Sequence, residues 1–303
     1  MDEPITAMRD AVDVVVVGAG PAGLSAALFL TRAQRQTLVF DGGPTRLSAV
    51  THIHEFLGHE GMAPSELQAR GRAEVIHYGG EIRAEAVSKI EPRHDGLFEV
   101  WSGERRVTAR AVVLATGLVD ALPPIPGLLE SWGREVNVCP CFSGHEVRGQ
   151  HLVAFGVAER LAQSGKFLSA WSPFVTVITK HAFDSTTTER LRAFGVTVVQ
   201  DEVTALRRRD GRLAMSTERG QEILCDAGFI SSAMRAASDL AATLCEVDAD
   251  GFAHTDANGQ TSRGGIWAIG YATDPIAHVA HAVAAGTQAG PWVNDYLIEM
   301  SIR

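Results

Sequence analysis

One segment between Asp13 and Asp41 constrains the fold more than any other part of the chain. Asp13-Val14-Val15-Val16-Val17 is a continuous β-branched run, the pattern of a strand buried on both faces. Gly18-Ala19-Gly20-Pro21-Ala22-Gly23 follows it as G-x-G-x-x-G. An apolar helical stretch over 24–30 and a second strand, Thr37-Leu38-Val39-Phe40, complete a βαβ unit that Asp41 closes. In that setting each glycine has a task. Gly18 makes the tight turn, Gly20 lets the backbone approach a pyrophosphate, and Gly23 lets helix and strand pack closely. The pyrophosphate rests on the helix N-terminus, and Asp41 accepts from a ribose hydroxyl. A βαβ unit implies a parallel sheet with helices on its faces.

Composition narrows the class further. The chain has 303 residues, enough for two domains, and 46% apolar content excludes disorder. Its longest apolar stretch, 14–30, is interrupted by Gly18, Gly20, Pro21 and Gly23, so no membrane span is expected. A net charge of −9 argues against nucleic acid or anionic lipid as a partner. The start Met1-Asp2-Glu3 lacks the basic region of a secretory signal, and four cysteines are too few for a disulfide-stapled secreted domain. The expectation is a soluble cytoplasmic protein.

The pattern then repeats. His151-Leu152-Val153-Ala154-Phe155-Gly156 reads as strand and turn, 158–170 as helix and 174–179 as the next strand. Hairpin signals at Asp95-Gly96 and Asp210-Gly211 follow the two copies, and each is followed by an apolar strand. An offset of about 120 residues marks a duplicated domain, not a solenoid. The stiff segment Pro123-Pro124-Ile125-Pro126-Gly127 suits a linker. The reading is therefore α/β, with two Rossmann-like three-layer domains. A discontinuous dinucleotide domain covers 1–119 and 241–303, and an inserted domain covers 120–240. Counted from Gly156, the inserted copy has Ala158 and Leu161 where the second and third glycines belong. Glu159 would set a carboxylate where a pyrophosphate must bind, and only Lys180 and His181 could meet a 2′-phosphate. This copy is read as having lost its dinucleotide, with an irregular but working NAD(P)H site as the alternative.

Cys139-Pro140-Cys141 admits zinc binding, thiol redox chemistry or accidental proximity. No second ligand pair stands within reach, which disfavours a metal. A disulfide across one residue closes a small strained ring and is easily reduced. If 144–147 begins a helix, its N-terminus would also favour a thiolate. Cys225 and Cys245 sit in apolar stretches and read as inert. His278 and His281 are three apart on a helix expected over 275–288 and would share a face.

Taken together, these residues resemble the low-molecular-weight thioredoxin reductase-like flavoproteins. The likeness rests on the 18–23 motif, Ala115-Thr116-Gly117, the cysteine pair, and Gly270…Asp274 followed by a helix. Asp41-Gly42-Gly43, His52-Ile53-His54-Glu55-Phe56-Leu57-Gly58, Gly144-His145-Glu146-Val147-Arg148 and Thr273-Asp274-Pro275 are similar to one branch. That branch is the FAD-dependent dithiol oxidases that close disulfides in natural products such as gliotoxin and holomycin. The resemblance implies FAD held by Gly18, Gly20, Pro21, Ala22, Gly23, Asp41, Gly42, His54, Thr116, Gly117, Gly270, Asp274 and His278. It implies oxidation of a small-molecule dithiol with O2 as acceptor and H2O2 as product, in a homodimer. Cys139 would meet the substrate, Cys141 would pass electrons to the flavin, and His278, His281 or His145 would act as the base. The alternatives are an NAD(P)H-dependent disulfide reductase and a thiol-binding flavoprotein without turnover. Four positions depart from the family pattern. Phe142 stands where the second cysteine belongs and Ser143 where an acid or histidine follows it. Tyr271 replaces the aspartate of Gly-Asp, and His278 replaces a glutamine.

Overall fold

Val12, Val15 and Val17 of the first strand, β1 (Ala11–Val17), pack on one face of a sheet, and Val14 and Val16 pack on the other. Both faces are covered, so the strand must be apolar throughout, and each buried valine contributes about 1.5–3 kcal/mol. The computed structural model describes residues 10–302, except the side chains of Ala158 and Glu159. The expectations placed on Met1-Asp2-Glu3 and on the Glu159 carboxylate lie outside the described residues.

β1 is followed by α1 (Pro21–Arg32), β2 (Thr37–Phe40), α2 (Pro64–His77) and β3 (Glu81–Arg83). A meander of β4 (Lys89–Pro92), β5 (Phe98–Ser102) and β6 (Arg105–Leu114) then leads to β7 (Leu118–Ala121). After α3 (Leu128–Ser131) and β8 (Val136–Asn137) come β9 (Leu152–Gly156), α4 (Ala158–Leu168), β10 (Val175–Thr179), α5 (Ser185–Ala193) and β11 (Val196–Gln200). The antiparallel strands β12 (Val203–Arg209), β13 (Arg212–Thr217) and β14 (Glu222–Cys225) precede β15 (Ala227–Ser231) and β16 (Ala233–Ala236). The chain ends with α6 (Leu240–Leu244), β17 (Ile266–Ala268) and the long α7 (Val279–Met300).

The fold is α/β, and its two larger sheets share one plan. The first runs β3-β2-β1-β6-β5-β4, with β17 also paired to β6; the second runs β11-β10-β9-β15-β8. β1 lies parallel to β2 and β6, with Val17 opposite Phe40 and Leu114. β9 lies parallel to β10 and β15, with Gly156 opposite Ser231. The chain folds into two compact units. Of the described residues, one comprises 10–48, 62–119 and 234–302, and the other 49–61 and 120–233. This division differs from the expected 1–119/120–240/241–303 at two places. Residues 49–61 belong with the second unit, and the return to the first begins at 234.

In the first unit α7 packs on α1 through glycines. A Cβ at Gly286 would lie 2.2 Å from the Ala22 carbonyl oxygen, and one at Gly290 would strike the Phe29 ring. The Ser25 hydroxyl donates to the Val283 carbonyl at 2.8 Å. α7 begins later than the sequence predicts, because Pro275 lies in a turn. There the Asp274 carboxylate accepts from the Ile276 amide, and the Ala277 amide donates to the Asp274 carbonyl. His278 is therefore the cap of α7 and His281 its third residue, and the two remain neighbours, their rings 5.6 Å apart.

Candidate active site

The glycine turn of the first unit is built by contact with its neighbours. Gly18 has φ +112°, and a Cβ there would lie 2.2 Å from the Ala115 carbonyl oxygen. A Cβ on Gly23 would lie 2.0 Å from the Gly18 carbonyl oxygen. Gly20 differs: it caps α1 in extended backbone, and a Cβ there meets nothing nearer than the Thr45 methyl at 3.8 Å. α1 carries no side-chain cap and no acid in its first turn. Its leading amides, those of Ala22 and Gly23 beyond Pro21, have no intrahelical acceptor to bond. An open glycine beside such a helix start fits the pyrophosphate of a dinucleotide.

The other cofactor candidates of this unit stand at the ends of the same strands. Asp41 and Gly42 follow β2, and Thr116 and Gly117 follow β6. Gly270 (φ +65°) follows β17, with a would-be Cβ 2.7 Å from the Ala22 Cβ. Asp274 turns back onto this segment, its amide donating to the Gly270 carbonyl. The Asp41 carboxylate is already engaged: one oxygen accepts from the Gly43 amide at 3.1 Å, and the other pairs with Arg72 of α2. A carboxylate oxygen has two lone pairs, so acceptance from a ribose remains open. His278 and His281 cap α7 reciprocally. The His281 amide donates to the His278 ring, and the His278 amide donates to the His281 Nδ1 at 3.2 Å.

In the second unit Gly156 repeats the geometry of Gly18. Its φ is also +112°, and a Cβ would lie 2.4 Å from the Ser231 carbonyl oxygen. After it the copies part. Helix α1 starts three residues beyond Gly18, whereas α4 starts two beyond Gly156, with Val157 as its cap. The turn is one residue shorter. Ala158 and Leu161 are consequently not the counterparts of Gly20 and Gly23. Val157 takes the cap position and Arg160 the third helical position, while Leu161 is fully buried in the core. The exposed Val157 side chain stands at the helix N-terminus, where a pyrophosphate would need bare backbone. The Lys180 ammonium is paired with Glu202, which holds its pKa above the usual lysine range.

Cys139 and Cys141 form a disulfide, with 5.2 Å between their Cα atoms, and both are half-buried. The Cys141 amide donates to the Cys139 Sγ at 3.3 Å. The helix expected over 144–147 is absent. Residues 140–149 form successive turns, in which Pro140 lacks an amide and Gly144 and Gly149 weaken any helix. Gly144 is fixed by packing: a Cβ would lie 2.7 Å from the Pro140 carbonyl oxygen. An amide therefore takes the place of the expected helix N-terminus beside the sulfur. His145 is exposed on this turn, and its carbonyl accepts from the Arg148 guanidinium at 2.6 Å. Cys225 is buried, which pushes its thiol up to about 12, and burial also raises Cys245.

His54, expected among the cofactor residues, lies in the second unit with the cysteine pair. Its Nδ1–H donates to Glu60 at 2.6 Å, and the other Glu60 oxygen accepts from the Glu55 amide at 2.8 Å.

The sequence profile of the pyridine nucleotide-disulphide oxidoreductases matches residues 12–286. The chain belongs to that family. Within it the chain is a thioredoxin reductase-like flavoprotein and a disulfide oxidoreductase. The crystal structure of HlmI is similar at 35% identity and a TM-score of 0.92, covering 96% of this chain and 94% of HlmI. A probable thioredoxin reductase of Arthroderma benhamiae is 35% identical over 54% of this chain, a match spanning only 42% of that protein's length. Thioredoxin reductase tcpT of Claviceps purpurea is 28% identical over 95% of this chain and 94% of its own. Among the described residues no helix is long and apolar enough to cross a membrane.

Three features of this family member escape the sequence. Arg72 reaches Asp41 from α2, and the Arg46 guanidinium lies 5.0 Å over the Tyr271 ring, at the position where the family pattern expects aspartate. Glu60, the partner of His54, is the third. Acids and arginines scattered this far apart in sequence carry no local signal; His52-x-His54 with a nearby acid is the one readable hint.

Proposed function

We propose that this chain is an FAD-dependent dithiol oxidase that closes a disulfide in a small-molecule dithiol, with O2 as acceptor and H2O2 as product. The observation that carries the reading is the shortened turn at Gly156 and Val157. The first copy keeps an open Gly20 beside its helix start, while the second sets an isopropyl group there. A chain with a flavin site and no nicotinamide site needs another electron source, and the Cys139–Cys141 disulfide supplies the entry for thiols.

FAD fits the first unit through Gly18, Gly20 and Gly23, the amides of Ala22 and Gly23, and Asp41. When bound, it supplies an acceptor for the electron pair and a route to oxygen. The chain's own residues do the sulfur chemistry. A substrate thiolate attacks the Cys139 Sγ and frees Cys141 as a thiolate. The second substrate thiol attacks the substrate's sulfur in the mixed disulfide and expels Cys139. The Cys141 amide, donating to the Cys139 Sγ, stabilises the charge left there.

The reductase reading has one specific observation in its favour: Gly156 keeps the φ of Gly18. Anaerobic spectroscopy separates the two. Dithiothreitol should bleach the flavin, air should restore it with release of peroxide, and NADPH at micromolar concentration should leave it yellow. Bleaching by NADPH within seconds restores the reductase reading. The family likeness also supports a homodimer working in the cytoplasm.

A further inference from the structure

We propose that His54, oriented by Glu60, takes the proton from the substrate thiol that attacks the Cys139–Cys141 disulfide. The inference deepens the oxidase reading and rests on it.

The loop 53–61 is shaped to hold one carboxylate against one imidazole. Ile53 is buried and anchors the loop, and its carbonyl accepts from the Gly61 amide at 2.9 Å, closing the loop on itself. Glu55 adopts φ +60°, a left-handed conformation that is costly for a residue with a Cβ. The strain delivers the Glu55 amide to Glu60, whose other oxygen holds the His54 Nδ1. Held this way the imidazole keeps its proton on Nδ1, and the Nε2 lone pair is left available, the arrangement of an oriented general base. The side chain is about one-fifth exposed, which leaves it open to a small thiol.

This loop belongs to the unit of the cysteine pair, not to that of the dinucleotide turn. The chain just before the loop packs against the turn that leads through β8 to the cysteines. Gly133, at φ +71°, exists there because a Cβ would lie 1.7 Å from the Ala49 carbonyl oxygen, and β8 and Cys139 follow directly. The turn that follows Cys141 comes near the Glu60 carboxylate through His145. The Glu60 carboxyl lies below the usual range because His54 and the Glu55 amide bond it, with smaller contributions from the charges of His54 and His145. The groups facing His54 are thus Glu60, Glu55, His52 at a ring separation of 6.3 Å, and, through Glu60, His145; His59 stacks on Phe56.

The step balances. The first substrate thiol gives its proton to the His54 Nε2, and its sulfur bonds to Cys139 while the Cys139–Cys141 bond breaks. The second thiol gives up its proton to solvent and its sulfur displaces Cys139, which leaves with the proton held on His54. The substrate is oxidised by two electrons and the cysteine pair is reduced by two. Glu60 is a positioning residue that also stabilises the imidazolium.

The test follows anaerobic reduction of the disulfide in the full-length holoprotein by stopped flow, with two thiols. Dithiothreitol must be deprotonated at neutral pH, whereas 2-nitro-5-thiobenzoate is already a thiolate. With dithiothreitol, His54→Gln should slow the reaction about 100-fold or more at pH 7 and lose the histidine limb of the pH profile. Glu60→Gln should slow it about tenfold, since the imidazole loses the partner that orients it. With 2-nitro-5-thiobenzoate both variants should match the wild type. Wild-type rates and pH profile in His54→Gln with dithiothreitol overturn the inference. So does an equal loss with both thiols, which marks a purely structural role. A wild-type disulfide that neither thiol reduces overturns the oxidase reading itself, and this inference with it.

Discussion

Two glycines of the first turn, Gly20 and Gly23, should respond oppositely to substitution, and the contrast isolates what the ligand requires from what the fold requires. Gly23→Ala sets a Cβ 2.0 Å from the Gly18 carbonyl oxygen and 3.2 Å from the Ala115 Cβ. The first distance is far inside the ~3.5 Å at which non-bonded atoms rest. The main obstacle is backbone, so relief requires α1 to lift off β1, an overpacking cost of about 1–3 kcal/mol. Alanine regains up to about 1 kcal/mol inside a helix, so the net loss is up to roughly 2 kcal/mol. Gly20→Ala meets only a methyl at 3.8 Å in backbone any residue can adopt. Its gain from a stiffer unfolded chain, about 0.4–1 kcal/mol, offsets the similar cost of losing glycine at a helix cap.

Urea titrations of the apoprotein and the FAD-loaded protein read both effects. Apo Gly20→Val should unfold within about 1 kcal/mol of wild type, as the natural Val157 at the cap of α4 indicates. Loaded at about 100 times its Kd, wild type should gain ~2.7 kcal/mol from FAD, and Gly20→Val should gain nothing. A full FAD-dependent gain in Gly20→Val would refute a pyrophosphate at Gly20. Apo instability in Gly20→Val equal to that of Gly23→Ala would make Gly20 a packing glycine like its neighbours.

Asp184 caps α5 by accepting from the Thr187 amide at 2.8 Å and from its hydroxyl, and these bonds hold its carboxyl below the usual range. Asp184→Ala should lower the stability at pH 7 through loss of the cap. Because the folded pKa is the lower one, that contribution is present above the unfolded value near ~3.9 and fades as pH falls through the folded one. Equal losses at pH 7 and pH 2.5 in denaturant titrations would contradict it. Cys225, buried with its thiol pushed up to about 12, should resist iodoacetamide in the native protein while reduced Cys139 and Cys141 are labelled. Mass spectrometry showing Cys225 labelled as fast as that pair would count against the packing described.

The parts legible in the sequence are those fixed by local periodicity. β1, α1 and β2 announce themselves because a doubly buried strand must be apolar and a tight turn must be glycine. The second copy is legible for the same reason, but its turn is not. Counting from Gly156 with the spacing of the first copy misplaces everything after a one-residue deletion, so Leu161 looks like a lost glycine although it is a core residue of α4. His54 enters the cofactor set through the family resemblance and not through any local pattern. The attachment of its segment, Ala49 against Gly133, is a long-range contact with no local signature. The late start of α7 turns on Asp274 capturing the Ile276 amide, a choice between two local hydrogen bonds that composition does not decide.

The retention of Gly156 beside the loss of its companions can be traced to separate constraints on each glycine. Gly156 and Gly18 are each required by the neighbouring strand: Ser231 and Ala115 present carbonyl oxygens where a Cβ would go. That demand comes from strand pairing, Gly156 with Ser231, and persists whether or not a nucleotide binds. Gly23 is required by the length of the first turn, which brings the helix onto the Gly18 carbonyl; shortening the turn removes the requirement, and Arg160 is tolerated at the matching place. Gly20 meets no packing demand among the described residues, since the nearest atom to its would-be Cβ is 3.8 Å away. Such an open glycine at a helix start is what a pyrophosphate would need. Val157, at the matching cap, agrees with the proposed loss of that ligand, and the strand contact of Gly156 accounts for its φ with or without a nucleotide.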